Sequence, residues 1–299
     1  MKIFSGQSNL KLAERISKFV GVSLGEIELG TFSDGELRVA FKENIRGENV
    51  FLIQSTNPPA ENLMELLLML DAAKRASAKT VTAVIPYYGY SRQDRKDRPR
   101  VPISARMILD LIDAAGVDRM VTMDLHSPQI QGFVNVPFDH LYSRIALFDK
   151  LNKLNLSKEN GVVLAPDVGS AKMSQAYAKS LGISFALIDK RRPKANKAEI
   201  ANLIGELKNK HVLIIDDMID TAGTICNAAD TAIENGALSV VAVATHPVLS
   251  GLAVERLSSS KLSKVIVCDT IELNEEKVFD KIAKELKNMF FMLNADLSY

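Results

Sequence analysis

The chain carries almost no net charge: 37 Lys and Arg against 36 Asp and Glu leave +1 at pH 7. Bulk electrostatics therefore give a nucleic acid no reason to bind, and any anion site has to come from a local cluster. Cysteine is scarce as well. Cys226 and Cys268 have no metal-ligand spacing, which points to a reduced compartment and away from a disulfide scaffold. Long apolar runs are missing: the most apolar stretch, residues 63–70, is interrupted by Glu65 and is far too short to span a bilayer. The opening Met1-Lys2-Ile3-Phe4-Ser5-Gly6 has no signal-peptide apolar core. What remains is ordinary globular composition, 47% hydrophobic and 24% charged, over 299 residues, enough for two domains. A cytoplasmic enzyme with neither a membrane nor a nucleic-acid partner is the expectation.

The most informative stretch is residues 212–224, Val-Leu-Ile-Ile-Asp-Asp-Met-Ile-Asp-Thr-Ala-Gly-Thr. Its apolar, mostly β-branched start predicts a buried strand over residues 212–215, with Asp216 and Asp217 where the strand ends. Thr221-Ala222-Gly223-Thr224 forms a short loop, and an amphipathic helix follows until Asn235-Gly236. A strand, a small-residue loop and a helix N-terminus make a phosphate site, because unpaired amides point at the anion and the helix dipole favours it. Gly223 permits close backbone approach, and the hydroxyls of Thr221 and Thr224 add donors. Paired carboxylates beside such a pocket suit a sugar phosphate, accepting hydrogen bonds from two neighbouring hydroxyls. A buried strand with solvated acids and an ordinary helix cap is the alternative.

The chain repeats itself. Polar residues 47–49 lead into apolar 50–53 as 209–211 lead into 212–215. Helical patterns follow at about 60–77 and 223–235, then strands at 80–85 and 239–244, and again at 119–124 and 264–269. Strands alternating with helices imply parallel sheets covered on both faces. The expectation is an α/β protein of two similar domains, residues 1–144 and 145–299. Only the second keeps the acid pair and the Thr-Ala-Gly-Thr loop; the first has Gln54-Ser55-Thr56-Asn57-Pro58-Pro59 there.

Other segments carry chemistry of their own. Arg92, Gln93, Arg95, Lys96, Asp97, Arg98 and Arg100 follow one strand and precede a helix expected to open at Pro102. Loops at the carboxyl ends of parallel strands are where open α/β sheets bind ligands. These cations suit a polyphosphate and Gln93 a base edge; a solvated loop has the same composition. His126 sits beside Asp124 at the end of the next strand, placed for a metal–nucleotide site or for an ordinary structural role. Asp34-Gly35 is a hairpin-turn signal, which leaves an exposed Phe32 unexplained. Lys190, Arg191, Arg192, Lys194 and Lys197 follow Ile188 with few apolar neighbours, predicting a mobile loop able to close over reacting phosphates, or a solvated connector.

Residues 212–224 resemble the 5-phosphoribosyl-1-pyrophosphate (PRPP) binding motif of type I phosphoribosyltransferases. Three roles share that motif: transferring a base onto PRPP, making PRPP, or sensing it. Taken with Phe32-Ser33-Asp34-Gly35-Glu36, Tyr90-Ser91-Arg92-Gln93-Asp94-Arg95-Lys96, Asp124-Leu125-His126, Gln129-Ile130-Gln131-Gly132-Phe133, Ala165-Pro166-Asp167, Lys190-Arg191-Arg192 and Thr245-His246-Pro247-Val248-Leu249-Ser250-Gly251, the chain resembles ribose-phosphate pyrophosphokinase, the PRPP synthetase family, from Phe4 to about Ile271. The resemblance implies two tandem type I phosphoribosyltransferase-like domains, each a mainly parallel sheet flanked by helices. It implies pyrophosphoryl transfer from ATP to ribose 5-phosphate, with Mg2+, in a homo-oligomer, a hexamer built from dimers. It assigns Arg92, Gln93, Asp97 and His126 to ATP, and Phe32, Asp34 and Glu36 to the adenine of a neighbouring subunit. His126 and Asp167 would contact magnesium. Lys190 and Arg192 would be the catalytic pair. Asp216 and Asp217 would hold the ribose hydroxyls, with Asp220, Thr221, Ala222, Gly223 and Thr224 around the 5-phosphate.

A phosphoribosyltransferase would explain the second half alone, not the repeat, the Arg-Gln-Asp stretch or Phe32. A regulatory subunit or PRPP sensor usually loses catalytic residues, whereas Lys190 and Arg192 are present. Many family members end in a Ser-rich stretch that helps form a regulatory phosphate site. Residues 289–299, Met-Phe-Phe-Met-Leu-Asn-Ala-Asp-Leu-Ser-Tyr, do not match it, so phosphate activation and ADP inhibition do not carry over.

Overall fold

The computed structural model describes residues 1–191, 200–273 and 290–293, the last four and residues 190, 191, 200 and 201 by backbone. The chain divides into two compact units. One comprises Met1–Tyr142 with Thr270–Glu272; the other comprises Ser143–Asp269 and continues from Leu273.

In the first unit β1 (Lys2–Ser5), β4 (Asn49–Ile53), β5 (Thr80–Ile85), β6 (Arg119–Met123) and β7 (Phe138–Leu141) form a five-stranded sheet in that order, every pair parallel. α1 (Leu10–Val20), α2 (Glu61–Arg75) and α3 (Ser104–Ala114) connect them. β2 (Ile27–Thr31) and β3 (Leu37–Phe41) make a separate antiparallel hairpin, and β3 packs on α2. Val50, Leu52, Val81 and Ala83 bury one face of the sheet against Leu66, Met69 and Leu70 of α2 and Ile108, Leu109 and Ile112 of α3. Ile3 and Ile53 bury the other face against Ala13 of α1.

The second unit starts with α4 (Ser143–Asn152). Its seven-stranded sheet runs β10 (Ile200–Ile204), β9 (Ser184–Arg191), β8 (Gly161–Ala165), β11 (His211–Ile219), β12 (Ser239–Pro247), β13 (Lys264–Cys268), β14 (Phe290–Leu293). Among the described residues of this sheet only β9 and β10 pair antiparallel. α5 (Ala171–Leu181), α6 (Gly223–Glu234) and α7 (Ala253–Ser259) complete it. Strand alternation is visible in the packing. Val212 and Ile214 face Ile225, Ala228 and Ala229 of α6, whereas Leu213 and Ile215 face Leu147 of α4 and Tyr177 of α5. A strand buried on both faces has to be apolar without a break, which is what residues 212–215 offer.

The repeat extends further than the three strand pairs legible in the sequence. β1 and α1 match β8 and α5: each strand neighbours the strand of its own unit's acid-pair position, and each helix ends on a left-handed glycine, Gly21 at φ 73° and Gly182 at φ 64°. Glycine takes that conformation without the cost a β-carbon imposes.

Three boundaries differ from expectation. α3 opens at Ser104, not Pro102, because the Gln93 carbonyl accepts from Ala105 N–H and the Gln93 side chain accepts from Ser104 Oγ at 2.6 Å. β11 does not stop at Asp216; it runs nine residues to Ile219. β12 supplies the reason, pairing Asp216 with Ala244, Met218 with His246 and Ile219 with Pro247. Finally, the segment after Ile188 is not a loop from the start. β9 continues through Asp189, Lys190 and Arg191, paired with Asn202, Ala201 and Ile200 of β10. Ladder hydrogen bonds hold a strand with polar side chains where an edge hairpin supplies the partner. Residues 192–199, Arg192 among them, and the unmatched terminus beyond Leu293 lie outside the described residues.

Candidate active site

The site of the second unit is set by chain direction. From β8 the chain goes through α5 to β9 on one side; from the adjacent β11 it goes through α6 to β12 on the other. Connections that diverge from neighbouring parallel strands open a crevice beyond their carboxyl ends, where such folds bind ligands. β8 pairs with β11 as far as Ile214 opposite Leu164. Asp216 and Asp217 lie past that last partner, where β12 on the other edge still pairs with Asp216 and, beyond the two acids, with Met218. Asp167 follows the end of β8, and its Oδ1 accepts from Ser170 N–H at 3.0 Å ahead of α5.

The Asp216 carboxyl feels the other two. Burial pushes the Asp216 carboxyl well above the usual aspartate range, and the negative charges of Asp217 and Asp167 push it further. The Asp217 N–H donating to Asp216 Oδ1 at 3.0 Å pulls the other way without offsetting this. Negative charge thus gathers at the acid end of the crevice, and hydroxyl donors or a cation would relieve it.

Phosphate chemistry lies one turn away. Ala222 is the N-cap of α6 at φ 62°, and no side chain caps the helix. α6 shares this with α2, α3, α5 and α7, whereas Asn9 caps α1 by accepting from Leu12 N–H. The first-turn amides of α6 thus have no intrahelical acceptor and no capping side chain, the condition for anion binding. A left-handed alanine costs roughly 1–2 kcal/mol, and strain of this kind gathers at ligand sites. The sequence offers Gly223 for close backbone approach; the left-handed conformation belongs to the residue before it, Ala222. At Gly223 a β-carbon would meet only Thr221 Oγ1 and Arg256 Nη1, both at 3.9 Å, so its surroundings are open.

Sequence reasoning found this loop but assigned no part to what braces it. Leu249 N–H donates to the Ile219 carbonyl at 2.9 Å and Ser250 N–H to the Asp220 carbonyl at 3.0 Å. Ser250 Oγ also donates to Asp220 Oδ1, and Arg256 Nη1 donates to the Thr221 carbonyl at 2.8 Å. Arg256 stands on the next helix, a distance at which no spacing rule connects it to the loop.

The matching corner of the first unit is sealed. Beyond β1 and β4, Gln54 is fully buried: its Oε1 accepts from Ser8 N–H at 3.0 Å and Ser8 Oγ at 2.7 Å. Its Nε2 donates to Glu65 Oε1 at 2.8 Å and to the Asn62 carbonyl at 3.1 Å. Glu65 Oε1 also accepts from Gln7 N–H at 2.7 Å, and Ser55 N–H donates to Ser8 Oγ at 2.8 Å. Burial raises the Glu65 carboxyl, and the bonds from Gln7 and Gln54 pull it down by less. The protein's own polar groups occupy the space that a ligand takes up in an open crevice.

The remaining candidates of this unit lie on its surface. Arg92, Gln93 and Asp97 are exposed on the loop after β5, and His126 is exposed after β6, the neighbouring strand. Asp124 beside it is buried, so the acid belongs to the strand end and the imidazole to solvent. Leu125 N–H, between them, donates to His140 Nε2 at 2.9 Å. Phe32, Asp34 and Glu36 form the exposed tip of the hairpin, with Phe32 53% accessible. The tip is ordered by Phe32 N–H to the Glu36 carbonyl at 2.8 Å and Glu36 N–H to Asp34 Oδ1 at 3.1 Å, with Gly35 at φ 95°. Among the described residues no group of three or more His, Cys, Asp or Glu forms a metal cage, and no helix is long and apolar enough to cross a membrane.

The fold and the crevice define a protein of two phosphoribosyltransferase-type domains, and residues 144–281 match the model of the phosphoribosyl transferase domain. Residues 1–116 match the N-terminal domain of ribose phosphate pyrophosphokinase. The chain is 53% identical to ribose-phosphate pyrophosphokinase of Chlorobaculum tepidum over 97% of its own length and 90% of that protein's. With the Bacillus caldolyticus protein of that name it shares 50% identity over 95% and 90%. The crystal structure of phosphoribosylpyrophosphate synthetase from Mycobacterium smegmatis superposes with a TM-score of 0.88 at 38% identity, covering 98% of this chain and 94% of that one. The chain belongs to the ribose-phosphate pyrophosphokinase family.

Proposed function

We propose that the protein transfers the β,γ-pyrophosphoryl group of MgATP to the anomeric hydroxyl of ribose 5-phosphate, giving PRPP and AMP for nucleotide biosynthesis. The observation that carries this is the inequality of two like halves: the second keeps an acid pair past the end of β8 and a left-handed turn at Ala222, whereas the first fills the matching corner with the buried Gln54 network. Residues 145–299 would take the ribose 5-phosphate and residues 1–144 the ATP.

In this reading Asp216 and Asp217 accept hydrogen bonds from the ribose hydroxyls. Asp220, Thr221, Ala222, Gly223 and Thr224 surround the 5-phosphate. Arg92, Gln93, Asp97 and His126 bind ATP, and Phe32, Asp34 and Glu36 reach the adenine held by a neighbouring copy. An exposed phenylalanine at an ordered hairpin tip supports that role. The assembly would be a homohexamer built from dimers, working in the cytoplasm.

Magnesium suits the donors present. Mg2+ is held by one or two oxygen ligands together with substrate phosphates, so an all-protein cage is not required. Asp167 would offer a carboxylate oxygen and His126 an imidazole nitrogen, each contacting magnesium associated with ATP and substrate, and when bound the metal would neutralise charge on the phosphate oxygens.

The anomeric oxygen attacks the β-phosphorus and AMP departs, and such transfer is mainly positioning and charge neutralisation. Lys190, as a compact ammonium, and Arg192, as a planar fork, would meet the charge that develops on the transferred group. The test is incubation with ATP, Mg2+ and ribose 5-phosphate. AMP and PRPP in equal amounts are expected; ADP in place of AMP, or no product, would refute the assignment.

A further inference from the structure

We propose that Ser250 and Arg256 are positioning residues for the reaction: the segment joining β12 to α7 holds the phosphate loop so that its amides face the ligand. The inference rests on the reading of that loop as the 5-phosphate site. Three consecutive carbonyls, those of Ile219, Asp220 and Thr221, are engaged by Leu249 N–H, Ser250 N–H and Arg256 Nη1 at 2.9, 3.0 and 2.8 Å. In a trans peptide the N–H points away from the C=O of the same unit. Drawing these carbonyls toward residues 249–256 therefore turns the amides of Asp220, Thr221 and Ala222 to the opposite side. There they extend the row begun by the first-turn amides of α6. The left-handed Ala222 at φ 62° has the backbone state that gathers successive N–H groups into an anion-binding concavity.

Each side chain adds something the backbone bonds do not. An aspartate in a turn tends to bond its own neighbouring amides, which would fill the concavity with a carboxylate. Ser250 Oγ donates to Asp220 Oδ1 and ties that carboxylate to the brace. Arg256 places a cationic donor on the Thr221 carbonyl, and a charged donor on a peptide oxygen strengthens the N–H of the same peptide, here that of Ala222. Nη1 also lies 3.9 Å from the β-carbon position of Gly223, close enough for its charge to act on a phosphate at the loop.

The test uses the full chain and four variants, Arg256→Met, Arg256→Lys, Ser250→Ala and the benchmark Thr224→Ala, each checked by thermal melting. KM for ribose 5-phosphate should rise about ten-fold or more in Arg256→Met and several-fold in Ser250→Ala. KM for ATP should stay within about two-fold in both, and Arg256→Lys should recover part of the loss. Amide hydrogen exchange should accelerate at residues 220–225 in Arg256→Met. If Thr224→Ala raises KM for ribose 5-phosphate but the Ser250 and Arg256 variants do not, the brace has no role and the phosphate site stands. If none of them changes it, the phosphate-site reading falls too. Equal loss for both substrates with a lowered melting point would make the brace merely structural. Should Arg256→Met fail to fold, Ser250→Ala decides alone, since it leaves both main-chain bonds of the brace in place.

Discussion

Replacing Gly6 by alanine should damage the first unit without touching any proposed ligand contact. The added β-carbon would lie 2.5 Å from Gln54 Cδ and 2.7 Å from Glu65 Oε1, with Gln54 Oε1 closer still. A flexible side-chain end would ordinarily swing aside. Here Gln54 is fully buried and its amide is held by Ser8, Asn62 and Glu65, so yielding means breaking those bonds. Overpacking of this kind costs about 1–3 kcal/mol, and each net hydrogen bond lost adds about 1 kcal/mol. The unfolded-state gain from replacing glycine returns only about 0.4–1 kcal/mol. A net loss of roughly 1–4 kcal/mol lowers the melting temperature of a domain of this size by about 3–15 °C. Differential scanning calorimetry at neutral pH measures it, with Gly223→Ala as control. The control's new β-carbon meets nothing nearer than 3.9 Å, so a shift of no more than about 2 °C is expected. A Gly6→Ala melting point within about 1 °C of wild type would refute the argument that the corner is locked.

Asp216→Asn and Asp217→Asn should each weaken ribose 5-phosphate binding in isothermal titration and leave ATP binding largely intact; equal loss of both ligands would mean that the acids hold a shared metal. Because the Asp216 pKa is raised on folding, its contribution is fully favourable below the unfolded value and is lost as pH rises through the folded one. Asp216→Asn should therefore raise the ligand-free melting temperature at neutral pH and flatten its decline above the ordinary aspartate range, and an unchanged pH profile would count against it. Lys190→Ala and Arg192→Ala should each lower turnover about 10²–10³-fold with little change in KM; near-normal turnover in both would end the catalytic assignment. Mixing an inactive Phe32→Ala/Glu36→Ala chain with an inactive Lys190→Ala/Arg192→Ala chain should restore activity once mass measurement confirms subunit exchange. Exchange without recovered turnover would leave the hairpin as a surface turn.

The parallel-sheet core was legible because strands buried on both faces must be largely apolar, and residues 50–53, 83–85, 212–215 and 240–244 are apolar without a break. The hairpin was legible from Asp34-Gly35, whose glycine takes φ 95°. Less visible was everything that depends on a partner strand. β11 runs past its acids because β12 is long enough to pair beyond them, and β9 carries Lys190 because β10 folds back beside it. Local composition cannot show either extension. The crevice could be inferred from the acids and the small-residue loop, but its left-handed backbone falls on alanine, where residue type does not announce it. Nor could the sealing of the first corner be read from Gln54, since burial, not residue type, turns that amide into a plug.

The sealed corner also bears on how the chain is made. A polar network closed on itself needs no small molecule to reach its final arrangement, but it does wait for distant chain: Ser55 Oγ, next to Gln54, donates to the Thr270 carbonyl at 2.6 Å, so the first unit closes only once residues 270–272 have been made. The later half ends its folding with carboxyls crowded at an open crevice, a tension that its ligand relieves. The two copies of one topology thus differ in what completes them as well as in chemistry. One is closed by the chain's own residues whatever the supply of metabolites, and the other keeps a last increment of stability that its ligand supplies.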